Sequence, residues 1–436
     1  DLPADPPSFP MLDQQMLRSR LASGRVRYVG EPVAVVVSET QAAGTDAVDL
    51  VLVDYEPLPA VVTASDSVRE ETLLFPDAGT NVVFAGPSQA GDDFFDGCEV
   101  TVDLAFNNQR IAPCPLEVRA AAARWDTDAD GSQRLTQWSS TQGAHATRDT
   151  LAAATGVDAA QVRVICPDVG GGFGAKNGGY PEDVLVALLS RELDRPVRWV
   201  ETRSESMLGL VHGRGCEFTA TIGGDRDGNV LAYRIHSLQD GGAYPEVGAV
   251  LPFITARMAS GVYAIPKIDF SFTSVCTNTV PMGAYRGAGR PEAAAAIERM
   301  IEVFAAEIGM DPAEVRRKNL IPKFDQPYTT TMGQTYDVGD YEPSLDKAME
   351  AIGYADLRAE QAARRESGDP VQIGIGVSVY VEITGGVPPM GDNAKIDVHD
   401  DGSATVYTGT SPHGQGHDTA WSMITSEQTG IPMDKI

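Results

Sequence analysis

The chain has 436 residues, with 34 basic and 61 acidic side chains and a formal charge of −27. That balance argues against nucleic acid as a partner, because a polyanion is held by clusters of Lys and Arg. Hydrophobic residues at 42% and charged residues at 22% describe a globular chain with ample core, long enough for about two to four domains.

Pro-rich polar sequence runs to about Gly24, and Arg25 to Val37 then reads as two strands broken at Gly30-Glu31-Pro32. Gln41 to Val48 reads as a short helix and Leu50 to Tyr55 as another strand, together a small α+β unit. Pro57, Pro59 and the acidic run Asp66 to Glu71 begin a linker that gives way to loop-rich sequence as far as Gly97. From Glu99 strands alternate with helices. Glu117 to Trp125 and Arg134 to Trp138 have β character, His145 to Thr155 has helical spacing, Gln161 to Cys166 is a strand, and Pro181 opens a helix to Leu193. Asp225 to Asn229 is a turn between two strand-like runs. A helix over Pro291 to Ile308 precedes Asp311-Pro312-Ala313-Glu314, where Asp suits the N-cap, Pro the first turn and Glu the reciprocal cap. A third unit starts near Asp340, with a helix at Glu342 to Ile352, strands at Gln372 to Glu382, Ala394 to Val398 and Ala404 to Thr408, and a helix at Asp418 to Thr429. The fold class expected is α+β (mixed α/β).

No apolar run approaches the ~20 residues of a membrane span, so no membrane insertion is expected. The N-terminus, Asp1-Leu2-Pro3-Ala4, has neither a Met nor the features of a signal peptide, and a processed chain or a fragment is expected. The five cysteines, Cys98, Cys114, Cys166, Cys216 and Cys276, are too widely spaced for a zinc or iron–sulfur motif and read as buried, reduced thiols of a cytoplasmic protein.

Glycine, 44 of 436 residues, exceeds the ~7% average and marks tight turns or close approaches to a ligand. It concentrates in loops that lie between strand and helix. In Asp168-Val169-Gly170-Gly171-Gly172-Phe173-Gly174-Ala175-Lys176, consecutive amides are exposed to an anionic or oxo group. A phosphate-binding GxxxxGK[ST] reading fails there, since Ala175 and Asn177 stand where Gly and a hydroxyl belong. A second loop, Gly283 to Glu292, carries Arg286 and Arg290 at a helix start, where the helix dipole favours acids, which suggests a neighbouring anion. The third, Gly409 to Asp418, places Gln415 between glycines and His413 four residues from His417, without a zinc signature. Gln142 is a further amide just before a helix.

In this order and with these intervals, the Gln142 loop, Gly170 to Lys176, Ala284 to Arg290 and Gly414 to His417 resemble the molybdenum-binding large subunit of the xanthine dehydrogenase, aldehyde oxidase and aerobic carbon monoxide dehydrogenase family. Arg27 to Ala34, Asp54 to Pro59 and Pro115 to Arg119 extend the likeness over nearly the whole chain. The resemblance implies the C-terminal part of an α/β hammerhead domain over 1–65, a linker over 66–97, a first molybdopterin-binding domain over 98–335 and the truncated start of a second over 336–436.

It further implies a molybdopterin dinucleotide, of the cytosine form in a bacterium, with molybdenum held by pterin sulfurs and no protein metal ligand. Gln142 would donate to the apical oxo group, Phe173 and Gly174 would lie beside the metal, Arg286 and Gly287 would line the pterin and substrate side, and Gly171, Gly172, Gln415, Gly416 and His417 would bind the cofactor. Gln142, Phe173 and Arg286 are the catalytic candidates on this chain. The implied reaction hydroxylates an aldehyde or N-heteroaromatic carbon with oxygen from water, a glutamate acting as base. The electrons leave through an iron–sulfur small subunit and an FAD medium subunit, in a dimer of heterotrimers.

Two departures qualify this. The family's base glutamate lies in a late Gly-x-Gly-Glu-like motif that does not occur after Gln415, so it is expected beyond Ile436 and the sequence is expected to be an internal piece. Carbon monoxide dehydrogenases proper carry a Cys before Ser-Phe-Arg, where this chain reads Tyr285-Arg286-Gly287-Ala288-Gly289-Arg290; this argues against a copper–molybdenum centre and matches the second, carbon monoxide dehydrogenase-like group. Asn177 stands where purine oxidisers have Glu, which disfavours a purine. A true carbon monoxide oxidiser and a non-catalytic cofactor-binding paralogue remain the alternatives.

Overall fold

The computed structural model describes residues 12–383 and 391–436. In chain order, helices α1 (Gln41–Val48) and α2 (Ala64–Ser67) precede strands β1 (Val82–Gly86), β2 (Val100–Asn108), β3 (Ala120–Thr127) and β4 (Gln133–Ser139). Then come α3 (Ala144–Thr155), β5 (Val162–Ile165), α4 (Pro181–Glu192), β6 (Val197–Val200), α5 (Arg203–Gly209), β7 (Cys216–Gly224), β8 (Val230–Asp240), α6 (Val247–Arg257) and β9 (Lys267–Val275). Helices α7 (Arg290–Ile308) and α8 (Pro312–Asn319), strands β10 (Tyr328–Thr329) and β11 (Thr335–Tyr336), and helices α9 (Glu342–Ile352) and α10 (Tyr354–Ser367) follow. The hairpin β12 (Ala394–Val398) and β13 (Ala404–Thr408) leads to α11 (His417–Thr429).

Two sheets organise the centre. One has the order β1-β9-β8-β7-β2, the other β5-β4-β3-β6. The Asp225 to Asn229 turn joins β7 to β8, its Asn229 side chain donating to Asp225. Helix α7 lays Ala296, Ile297, Met300, Ile301 and Phe304 against Phe218, Ile222 and Ile235 of the first sheet, the main hydrophobic core. On the second sheet Leu135, Ala123 and Val162 pack with Leu151 of α3 and Val184 of α4. Asp311 caps α8 by accepting from Ala313 N, as expected, but Glu314 pairs with Arg317 rather than closing the box. Among the described residues no helix is long and apolar enough to cross a membrane.

Four expected strands do not form: the two within 25–37, and those at 50–55 and 372–382. Around Gly30 the chain turns on itself, Glu31 N donating to Tyr28 O and Arg27 N to the Glu31 carboxylate, so these backbone donors are used locally. Leu50 N and Val51 N return to Ala47 O and Val48 O, and Leu52 is 92% exposed with no strand beside it. Over 372–382 the alternation is real, with Val377, Val379 and Val381 packed on the core, but among the described residues no strand pairs with this segment. Hydrophobic alternation finds the buried side of a segment; a strand also needs a partner for its backbone. Conversely, β1 lies inside the stretch read as a linker over 66–97 and pairs with β9 as an edge strand.

Candidate functional site

The strand β5 delivers the chain into the glycine loop, and α4 carries it away. Gly172 sits where any side chain would collide with the Gln142 carboxamide, and Gly174, at φ +94, has its missing Cβ position 2.6 Å from Ala284 O. Glycine is required at both, and the result is close contact between three segments: Gln142, Gly171 to Lys176, and Ala284 to Arg286. Phe173 takes φ +56 with its side chain 38% exposed, and its carbonyl accepts from Arg286 N at 2.9 Å.

The Gln142 amide is oriented by its neighbours. Its Oε1 accepts from Gly174 N at 2.8 Å and from Lys176 N at 3.2 Å. Both partners are donors, so the oxygen is fixed at that end and Nε2 is left as a donor without a partner among the described residues. The N–H groups of Gly171, Gly172 and Phe173 donate to nothing among the described residues. Gly171 and Gly172 are buried, and a buried amide without an acceptor is costly unless a ligand or water supplies one. A group bearing oxo or phosphate acceptors fits this cradle.

Behind the loop, Glu117 Oε2 accepts from Gly170 N, Ser140 Oγ and Lys176 Nζ, each at 2.8 Å. Partial burial pushes the Glu117 carboxyl up, but these three bonds outweigh it and hold its pKa below the ordinary range; burial draws the Lys176 ammonium down despite its partner.

The second loop is braced from α7. Arg214 donates to Tyr285 O at 3.0 Å, to Arg286 O at 2.8 Å and to Glu292 Oε1 at 3.2 Å, while Glu292 Oε2 accepts from Gly289 N at 2.8 Å. Arg214 and Glu292 are 8% and 1% exposed. Neither was singled out from sequence; Glu292, an acid in the first turn after Gly289, carries a cap signal that could have found it, whereas Arg214 carries none. The Arg286 side chain is exposed. Arg290, for which a neighbouring anion was expected, pairs with Glu382 at 3.0 Å.

A cavity of about 280 Å³ opens between Gly174, Asn177, Tyr180, Arg18, Tyr244 and Ala284, so Asn177 stands on the wall of a void that borders the glycine loop.

Among the described residues, no hydrogen bond brings the third loop to this cluster. Gln415 Oε1 accepts from His413 N at 2.7 Å, and a Cβ at Gly416 would meet nothing within 4 Å. His417 is the first residue of α11 rather than a loop residue. Burial, and then His417, lower the pKa of His413 below the ordinary imidazole value. Among the described residues no group of three or more His, Cys, Asp or Glu side chains could hold a metal ion. All five cysteines are free; Cys216 and Cys276 are buried as expected, whereas Cys114 is exposed.

Residues 74–320 and 347–436 match molybdopterin cofactor-binding domain families, and residues 1–59 match the hammerhead domain of aldehyde oxidase and xanthine dehydrogenase. The chain is 34% identical over 446 residues to the carbon monoxide dehydrogenase large chain of Hydrogenophaga pseudoflava, covering 95% of this chain and 55% of that one. It is 34% identical over 439 residues to the nicotine 6-hydroxylase large subunit of Paenarthrobacter nicotinovorans, covering 97% and 53%. The solved structure of quinoline 2-oxidoreductase from Pseudomonas putida 86 superposes with a TM-score of 0.89 at 34% identity, covering 96% of this chain and 55% of that one. The chain therefore spans about half the length of the curated relatives it matches. Ordered glycine loops, an oriented Gln142 and these matches agree: the chain belongs to the molybdopterin-binding large-subunit family of the xanthine dehydrogenases, aldehyde oxidases and carbon monoxide dehydrogenases.

Proposed function

We propose that this chain is the cofactor-binding, catalytic part of a molybdenum hydroxylase that oxidises an aldehyde or N-heteroaromatic carbon, water supplying the oxygen. The observation that carries the reading is Gln142, whose oxygen is pinned by Gly174 N and Lys176 N while its nitrogen is offered beside three unpaired amides. The bound group, a molybdopterin dinucleotide in its cytosine form, supplies the two-electron redox chemistry. The chain supplies orientation. Gln142 Nε2 would donate to an oxo acceptor of that group, the amides of Gly171, Gly172 and Phe173 would hold further acceptor atoms, Gly174 would admit the close approach, and Arg286 with Gly287 would line the pterin and substrate side. Gln415, Gly416 and His417 contribute to holding the dinucleotide. The base glutamate is expected in sequence beyond Ile436.

The names of two relatives, for nicotine and quinoline oxidation, favour the N-heteroaromatic arm. The loop Tyr285 to Arg290, without Cys, disfavours a copper-dependent carbon monoxide oxidiser. Electrons pass to an iron–sulfur small subunit and an FAD medium subunit, in a cytoplasmic dimer of heterotrimers. Expression of the complete protein with its partner genes and the cofactor pathway should yield molybdenum and a pterin that releases CMP, with copper well below one per molybdenum. A protein holding neither molybdenum nor pterin would sink the reading, and molybdenum without turnover on any aldehyde or N-heterocycle would leave a binding paralogue.

A further inference from the structure

We propose that Glu117 and Lys176 are positioning residues, a clamp that sets the direction of the Gln142 carboxamide by holding the two ends of the glycine loop together. This rests on the cofactor-binding reading above. A single oxygen, Glu117 Oε2, accepts from Gly170 N and from Lys176 Nζ, each at 2.8 Å, and so joins the first and last residues of the loop. The same oxygen accepts from Ser140 Oγ at 2.8 Å, and Lys176 Nζ donates to that hydroxyl at 2.8 Å, which ties both to the segment carrying Gln142. The Lys176 main chain completes the link: its carbonyl accepts from Gln142 N at 2.9 Å and from Thr141 Oγ1 at 3.2 Å, and its N–H donates to Gln142 Oε1 at 3.2 Å. Lys176 thus grips the Gln142 segment from both its backbone and its side chain.

The energetics ask for such a role. Lys176 is 2% exposed, and sequestering an ammonium costs more than filling the same space with an apolar side chain, even when it is paired. What an apolar residue cannot do is bond the carboxylate that also captures Gly170 N. Loss of either charge would let the loop ends separate, and with them the two amides, Gly174 N and Lys176 N, that orient Gln142.

The test uses the full complex and the variants Glu117→Gln, Lys176→Met and the neutral double Glu117→Gln/Lys176→Met. Hydrogen exchange of the peptide from Gly171 to Asn177 is read relative to the α4 peptide of the same protein, so that general loosening cancels. The molybdenum(V) electron paramagnetic resonance signal is recorded alongside. The clamp predicts at least tenfold faster relative exchange in all three variants and altered g values, including in the double variant, where no unpaired charge is buried. Unchanged relative exchange, or faster exchange with an unchanged signal, would overturn it and leave the pair as a stabilising contact only. Should the wild-type complex contain no molybdenum, the cofactor reading fails by itself, and the relative exchange alone still decides whether the clamp exists.

Discussion

The loops Gly170 to Lys176 and Gly409 to Gly416 have the same outline, a strand leading into glycines and then a helix, yet glycine is there for different reasons. In the first, the missing side chains are replaced by neighbours: the Gln142 carboxamide at Gly172 and the Ala284 carbonyl at Gly174. In the second, Gly414 and Gly416 stand at φ +110 and +74 with nothing within 4 Å. One loop is defined by packing, the other by backbone conformation alone. A glycine cluster read from sequence therefore says that a side chain is unwelcome, without saying whether space or torsion forbids it.

The contrast can be broken most severely at the brace of the packed side. Arg214→Met leaves the Glu292 carboxylate buried without its cation and frees the carbonyls of Tyr285 and Arg286. A loss of about 3–5 kcal/mol is expected, as for other interrupted buried pairs. Denaturant midpoints of wild type and variant measure it; a midpoint within error of wild type would show that the second loop holds without Arg214. Gly174→Ala should cost about 3 kcal/mol, combining left-handed strain with a Cβ driven onto a backbone oxygen that cannot rotate away.

Legibility follows the same division. The helices over 144–155, 181–192 and 342–352, and the hairpin of β12 and β13, were readable because local periodicity and caps specify them. The strands expected at 25–37, 50–55 and 372–382 were not, because a strand needs a non-local partner: at 372–382 the alternating Val377, Val379 and Val381 find the core, but among the described residues no strand lies beside them. At the site, sequence pointed to Gln142, Phe173 and Arg286 as loop residues. It missed Arg214, Glu117 and Lys176 as braces, since an ion pair across the fold leaves no spacing signal.

A titration sharpens the packed side further. Asp183, which accepts from Ser139 Oγ at 3.0 Å and Tyr180 N at 3.2 Å, is pushed up to about 6 by burial. Below about pH 4 folded and unfolded chains both hold this proton. As pH rises toward 6 the unfolded chain releases it first, so stability falls, by roughly 2–3 kcal/mol for a shift of this size. Asp183→Asn should remove that part of the slope, and unfolding curves at pH 4.5 and 7 will show it as a smaller difference between the two midpoints. An identical difference in both proteins would mean the carboxyl is not desolvated.

The smallest effect belongs to the open loop. At Gly416 an added methyl group meets no atom, so Gly416→Ala carries only the left-handed backbone penalty, about 1–2 kcal/mol, before any ligand is present. In the complex, Gln415 and His417 flank this position, and a dinucleotide resting on the loop would leave less room than the chain alone. The expected outcome is a stability loss well below that of Gly174→Ala, together with a fall in retained cofactor measured as pterin released per chain. If cofactor content were unchanged while stability dropped, Gly416 would serve only to start α11, and the dinucleotide contacts would have to lie elsewhere. If both losses matched those of Gly174→Ala, the third loop would be as tightly enclosed in the complex as the first, and the difference between them would belong to the isolated chain.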